Sequence, residues 1–383
     1  MKADHFISRK LKFQGSIAAV SIAVSFLVII LAVAISSGFR HAIRDGVAAM
    51  TGDIRISANA VGNAPVPVHL PSEEAVLSLP GVRSLTPVIL RQGIVRSGDV
   101  IHGVIVKGLP DRPDSALCVS IPSRLSAITG LGVGDEMTTY FIGEKVRVRR
   151  FHITEVHRDL LEMDDNLLVY AHIDDLRRLG GFGEDEASAL EVSLRREMRT
   201  AGAMEELAHR IGNIFLGSDA PEEENLLVSS SVNSYPQLFD WLDLLDFNVM
   251  FILLLMVLVA GFNMISGLLI VLFRNISTIG TLKTLGMTDR SIGKVFLRVA
   301  AGVVFKGMLI GNAIALAFCL VQGTTHLIPL DPVNYFVSWV PVHVDPLWIV
   351  AADLVAFGGI LLLLLLPTLF IARIDPAKTV RAE

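Results

Sequence analysis

Few residues in this chain have types and spacings suited to chemistry. His152 and His157, in the stretch FHITEVH, are the first candidates for a metal. They are five residues apart, so on a strand they face opposite ways, and no carboxylate pair of obvious use stands nearby. A surface or packing role suits them better. Glu162 to Asn166, EMDDN, supplies oxygen ligands of the calcium type but lacks the EF-hand spacing, and it reads as a solvated turn. Cys118 and Cys319 stand alone, with no CxxC or Cys/His cluster, and Cys319 falls in an apolar run, so neither a disulfide nor a metal site is expected. The sequence contains no GxxxxGK[ST], HExxH or GxSxG motif. The chain therefore has no P-loop of its own for nucleotide phosphates, and no catalytic residue, cofactor or metal is assigned to it.

Two ionisable residues stand in apolar surroundings, Lys306 and Asp353. Such charges are costly in a bilayer and often functional. At about 1.5 Å per residue, Lys306 lies ~10 Å from one edge of its span and Asp353 ~9 Å from the opposite edge of its own. In a core of about 30 Å the two remain ~10 Å apart, so snorkelling of each toward its nearer interface is the better reading.

These residues require a membrane frame, and the composition supplies one. Of 383 residues 52% are hydrophobic, and the mean hydropathy is +0.58. The apolar residues concentrate in four blocks, expected as spans at 17–38, 246–273, 299–321 and 347–372. A basic start and the AVA at Ala32–Ala34 also resemble a cleavable signal peptide, but the first block is longer than a usual signal core and is expected to stay as a span. Net charge is only -5, which argues against nucleic acid as a partner.

Lys and Arg fix the expected orientation. Lys2, Arg9, Lys10 and Lys12 precede the first block; Arg274, Lys283, Arg290, Lys294 and Arg298 lie between the second and third; Arg373, Lys378 and Arg381 follow the fourth. The 322–346 loop has neither Lys nor Arg. Both termini (1–16 and 373–383) and the 274–298 loop are expected in the cytoplasm, with 39–245 and 322–346 outside.

Residues 39–245 alternate like strands in GDIRISANA, GIVRSGDVIHGVIVKGL, KVRVRRFHITEVH, NLLVYA and SALEVSLRR. Helical runs appear in SRLSAITGLG, HIDDLRRLGG and RTAGAMEELAHRIGNIFLG. The expected fold is therefore an integral membrane protein with four transmembrane α-helices, one plus three, and a large α+β domain between the first and second. Ser234 to Met250 has helical periodicity and no break before the second block, so a single helix should join domain and membrane. Gly307 and Gly311 form a GxxxG step that suits either packing within the chain or dimerisation.

The stretch FRNISTIGTLKTLGMTDRSIGKVFLR, Phe273 to Arg298, turns straight back into the bilayer. Ile276, Ile279, Leu282 and Leu285, with Met287, predict a short amphipathic helix flanked by Lys283 and Arg290 and ended by Gly286 as a C-cap glycine. Such a stub could lie on the lipid interface or dock as a knob into a partner. A membrane protein with a large outer domain and no nucleotide site needs energy from elsewhere, and a separate ATPase pressing on this knob is the economical hypothesis.

STIGTLKTLGMTDRSIGKVFL resembles the EIAxLKALGAxxxxIxxxF pattern of FtsX-like, MacB-type ABC transporter permeases, and IDPAKTVRAE resembles the DPxxxLR near their C-terminus. The match to an FtsX-like permease domain is expected over 245–380. Within the group the chain is most similar to the lipoprotein-releasing permeases, the LolC/LolE family. That similarity rests on SSGFRHAIRDGVAAMTGDIRIS, LGVGDEMTTYFI, the DxxL turn at Asp164–Leu167, LFDWLDLLDFNVMFILLLMVLVAGFNMISGLLIVL and LIPLDPVNYFVSWVPVHVDP. One departure is STIGTLK, where many members carry an acid.

The resemblance implies a MacB-like periplasmic domain, an inner-membrane location, a cytoplasmic ATPase subunit that binds ATP–Mg, and a second permease chain, identical or paralogous. It also implies lipoprotein cargo, membrane lipid as surroundings and a periplasmic lipoprotein carrier. Gly280, Thr281, Lys283, Leu285 and Gly286 are the residues it singles out for ATPase coupling. Phe247, Met250, Leu254 and Met264 are those it suggests for cargo. Two other functions stay open at this point: a MacB-type exporter of another substrate, and an FtsX-like switch that drives a cell-wall hydrolase.

Overall fold

The computed structural model describes residues 16–58, 65–98, 100–111, 115–141, 146–158, 161 and 167–367. The basic residues expected at the two termini, the EMDDN turn and the C-terminal IDPAKTVRAE lie outside them.

In chain order, the first helix, α1, spans Ser16–Thr51. The strands and helices that follow are β1 (Ile54–Ala58), β2 (Val66–Pro67), α2 (Glu73–Leu77), β3 (Val82–Ser97) and β4 (Val100–Leu109). Next come β5 (Cys118–Pro122), α3 (Ser123–Thr129), β6 (Glu136–Phe141), β7 (Arg147–His157), β8 (Leu168–His172) and α4 (Ile173–Gly180). Then come β9 (Glu186–Ala187), β10 (Ala189–Leu194), α5 (Ala201–Leu216), β11 (Leu226–Ser230) and α6 (Ser231–Ser234). The chain goes on through α7 (Pro236–Arg274), α8 (Ile276–Thr284), α9 (Asp289–Thr325), α10 (Pro332–Tyr335) and α11 (Pro346–Leu363). Contacts divide it into two compact units. One holds residues 16–39, 242–329 and 340–367. The other holds 40–241 and 330–339.

The second unit is built on a nine-stranded sheet in the order β11-β1-β10-β3-β4-β8-β5-β7-β6. β6 also pairs with β3, Val95 opposite Thr139, so the six strands β3, β4, β8, β5, β7 and β6 close on themselves. β3 serves both halves. Val82–Val88 pairs with β10, and Ile89–Ser97 pairs with β4. Period-2 alternation explains the filling: Met137, Thr139 and Phe141 of β6 and Phe151 and Ile153 of β7 turn inward. Phe141 and Phe151 meet edge to face with centroids 6.3 Å apart. Gly93 is needed at the β3–β6 crossing, where a Cβ would lie 2.7 Å from the Thr139 methyl.

All five stretches read as strands, and all three read as helices, form elements of those types. β2, β5, β6, β9 and β11 were not expected. β5, CVSIP, is a short strand covered on both faces and so shows no alternation.

Among the described residues four helices, α1, α7, α9 and α11, are long and apolar enough to cross a membrane. α1 continues past the expected span end at 38 to Thr51, and α7 starts at Pro236 and runs unbroken into the apolar block. Gly307 and Gly311 of α9 lie directly against α1. A Cβ on Gly307 would be 2.7 Å from Ile22 Cγ2, and one on Gly311 would be 2.4 Å from the Ala23 carbonyl oxygen. The GxxxG step therefore packs within the chain. Gly261 of α7 approaches Leu363 of α11 in the same way. Polar side chains add ties: Asn263 Nδ2 donates to Ser21 Oγ, Ser36 Oγ donates to Asp246 at 2.8 Å, and Asn312 Nδ2 donates to Asp353 at 2.5 Å. Asp353 thus takes a polar partner on α9, which the sequence reading did not foresee.

Candidate functional site

The short helix α8 sits between α7 and α9. Its end is a Schellman motif: Gly286 N–H donates to Lys283 O at 3.0 Å, Met287 N–H donates to Leu282 O at 3.0 Å, and Gly286 has φ +88°. Glycine is required there because a Cβ at positive φ is strained. The chain then re-enters a helix at once. Thr288 caps α9, its hydroxyl accepting from Ser291 N–H, and Asp289 follows in the first turn, where the helix dipole favours an acid.

The apolar stripe expected on this helix divides. Ile279 is 1% exposed, and Leu282 and Met287 pack with Ile292 and Phe296 of α9 around a small apolar notch. Leu285 is 79% exposed. Each three-residue step rotates a helix by 300°, so a strict i, i+3 series drifts about 60° per step and leaves the buried face by its fourth member. Gly280 is buried on the packed side. Thr281 is exposed, with its hydroxyl bonded back to Ser277 O at 3.1 Å. Lys283 forms an ion pair with Asp289 at 2.8 Å, its side chain only 10% exposed. The lysine expected as a polar flank therefore bridges the turn. The outward surface is made by Ser277, Thr281, Thr284, Leu285, Gly286 and Arg290, with one large apolar side chain among small polar ones.

On α7, Phe247, Met250 and Leu254 are 67%, 70% and 57% exposed. Met264 differs. It is fully buried in a core row, Ala260, Met264, Leu268 and Val271, that begins where α7 meets its neighbours. The expectation that Met264 contacts cargo is corrected: the residue packs the bundle.

A second constellation went unnoticed in the sequence. Lys107 of β4 is 2% exposed, and its Nζ donates to Glu191 Oε2 at 2.7 Å and to the carbonyls of Ala49 and Met50 at 3.0 and 3.1 Å. Those carbonyls close the last turn of α1, where a cation also meets the negative end of the helix dipole. Arg55 reaches the other oxygen of Glu191 at 3.6 Å. Burial pushes the Lys107 ammonium down, against the pull of Glu191, and pushes the Glu191 carboxyl up, against the pull of Lys107. Beside them Asp53 accepts from Leu194 N–H at 2.7 Å and from Arg199 Nε at 3.1 Å, and Arg199 also holds Asp45 at 2.9 Å. Ser231 N–H donates to Asp53 O at 2.9 Å, so the strand leaving α1 and the segment entering α7 are tied at one point. A lysine and a glutamate within otherwise apolar strands, VIHGVIVKGL and ALEVSL, were the available signal.

His152 stands 4.0 Å from Glu136 and is largely exposed, while His157 Nδ1 pairs with Ser120 Oγ at 2.7 Å. The two histidines are not brought together. No group of three metal-binding side chains forms among the described residues.

Residues 250–376 match the family model for the FtsX-like permease C-terminal domain. The whole chain is similar to the lipoprotein-releasing system transmembrane protein LolC of Xylella fastidiosa, with 22% identity over 97% of this chain and 95% of that one. LolC of Neisseria meningitidis serogroup B is 21% identical over 79% of each chain. Among solved structures, the periplasmic region of MacB from Actinobacillus actinomycetemcomitans covers 49% of this chain and 92% of its own length, at 15% identity and a TM-score of 0.31. The extracellular domain of the ABC-type transporter YknZ covers 46% and 99%, at 11% identity and a TM-score of 0.30. Residues 250–376 thus form an FtsX-like permease C-terminal domain by their match to that family model, and along nearly its whole length the chain is similar to LolC.

Proposed function

We propose that this permease converts ATP hydrolysis by a separate subunit into the release of lipoproteins from the inner membrane. The observation that carries this reading is the similarity to proteins named LolC over 97% of the chain. The ATPase binds ATP–Mg; this chain contributes α8 as the coupling knob, with Leu285 seated in a groove of the ATPase and Thr281 and Gly286 beside it. Gly280 and the Lys283–Asp289 pair hold the knob in shape. Both termini and the knob face the cytoplasm, and the sheet unit faces the periplasm. α1 and α7 carry the displacement outward, because each runs without a break from its apolar segment to the start or end of the sheet unit.

Release needs coupled work. Each acyl CH₂ withdrawn from the bilayer costs about 0.8 kcal/mol. The exposed Phe247, Met250 and Leu254 offer an apolar surface for the chains on their way out, and a periplasmic carrier receives them. The test is depletion of the protein in its own host, separation of inner and outer membranes, and mass spectrometry of lipoproteins. Outer-membrane lipoproteins should accumulate in the inner membrane. An unchanged distribution would reject the cargo and favour export of another substrate or mechanical control of a cell-wall hydrolase.

A further inference from the structure

The loop between α9 and α11 carries a feature that span counting does not explain. Its middle, Leu330–Trp339, groups with the sheet unit, although residues 329 and 340 on either side group with the apolar helices. The segment is a compact object. Leu330 N–H donates to Ser338 O at 2.9 Å and closes its base. Asn334 Nδ2 donates to Asp331 at 2.8 Å, and Phe336 N–H donates to Pro332 O at 2.8 Å, around the turn of α10.

Two aromatic contacts fasten it within its unit. Trp241, near the start of α7, meets Phe336 edge to face at 6.2 Å and 82°. The Arg158 guanidinium, just beyond β7, lies 5.2 Å from the centre of the Trp339 ring. Phe336 has φ +60°, a conformation in which a bulky side chain is strained and glycine is not. A glycine would relax the backbone but would lose the ring that touches Trp241. At this position the strained backbone and the ring contact with Trp241 therefore come together.

We infer that Leu330–Trp339 is a strap, a third mechanical connection that fastens the α9–α11 loop to the sheet unit and stays fastened while the permease works. α1 and α7 are the other two connections. The strap ties the root of α7 to the loop that joins the remaining apolar helices, so motion of α9 and α11 is delivered to the outer unit as well. The inference rests on the proposed function in one respect, that ATP-driven work passes from the apolar helices to the outer unit.

The experiment uses the full chain in membranes with its ATPase partner and second permease chain. In Phe336→Gly combined with Trp339→Ala, ATP hydrolysis should stay within about twofold of wild type, while lipoprotein release falls about tenfold. Trp339→Phe alone should retain release within about twofold. Release undiminished in the double variant would overturn the strap. A second arm does not depend on cargo or on the double variant folding. Cys118→Ser and Cys319→Ala remove the native thiols, Asp240→Cys and Tyr335→Cys place new ones beside the Trp241–Phe336 contact while leaving both aromatic contacts intact, and a short bismaleimide reports their proximity. The yield should be equal with and without ATP–vanadate. A yield that drops fivefold or more on trapping would mean that the strap lets go, and would overturn the inference. If wild type itself released no lipoprotein, the cargo reading would fail, and the cross-linking arm alone would decide the strap.

Discussion

The knob at α8 and the charged clasp around Lys107 are built on opposite principles. The knob is a two-turn helix with one packed face, a glycine stop and a large apolar side chain left in the open. The clasp is closed: Lys107, Glu191 and Asp53 are buried, and Lys107 is surrounded by acceptors. A surface kept for a partner makes few internal contacts, so substitution there should alter work and spare stability. A cluster closed on all sides by partners is over-determined, so substitution there should cost stability first.

Breaking the clasp gives the largest expected effect. Lys107→Met leaves Glu191 buried beside Arg55 without its short ion pair, and loss of one member of a buried pair costs about 3–5 kcal/mol. Thermal unfolding of the purified chain in nanodiscs should show it as a clear drop in Tm. Lys107→Met combined with Glu191→Leu should recover most of the loss, because no uncompensated charge then remains buried. Equal Tm values for wild type and the single variant would mean that the clasp is not the rigid joint described.

The helix crossing comes next. Gly311→Leu forces a side chain toward the Ala23 carbonyl oxygen, where a Cβ alone would lie at 2.4 Å, and backbone cannot move aside cheaply. Overpacking of this kind costs about 1–3 kcal/mol. A Cβ on Gly302 of the same helix would meet nothing within 4 Å, so Gly302→Leu should be near neutral. A similar Tm for both variants would separate α1 from α9.

What could be read from the sequence follows the same contrast. The four long apolar helices, most strands and the Gly286 stop were legible because local period and backbone sterics set them. The fate of Leu285 was not, because a three-residue spacing looks like a stripe until the rotation per step is summed. Met264 was misread because exposure along α7 changes at Ala260, where neighbouring helices from distant parts of the sequence close in. The clasp was missed for a related reason. Its partners lie 84 residues apart on two strands, and nothing local in IVKGL or ALEVS says that the two charges meet.

The knob should show the smallest effect on stability and a large effect on work. Leu285 is already in water, so Leu285→Asp removes little buried area and adds a charge at a helix C-terminus, where the dipole disfavours it by only about 0.3–1 kcal/mol. Tm should therefore fall by no more than a few degrees. Docking is another matter, because an exposed leucine that fills a partner's groove is desolvated there, and a carboxylate in its place must be desolvated without a counter-charge. Stimulation of the ATPase by the permease should fall at least tenfold, and lipoprotein release should fall with it. Normal ATP-driven release by Leu285→Asp would remove the knob from the coupling path. A large fall in Tm would instead make α8 a part of the bundle core, and the contrast between open knob and closed clasp would no longer hold.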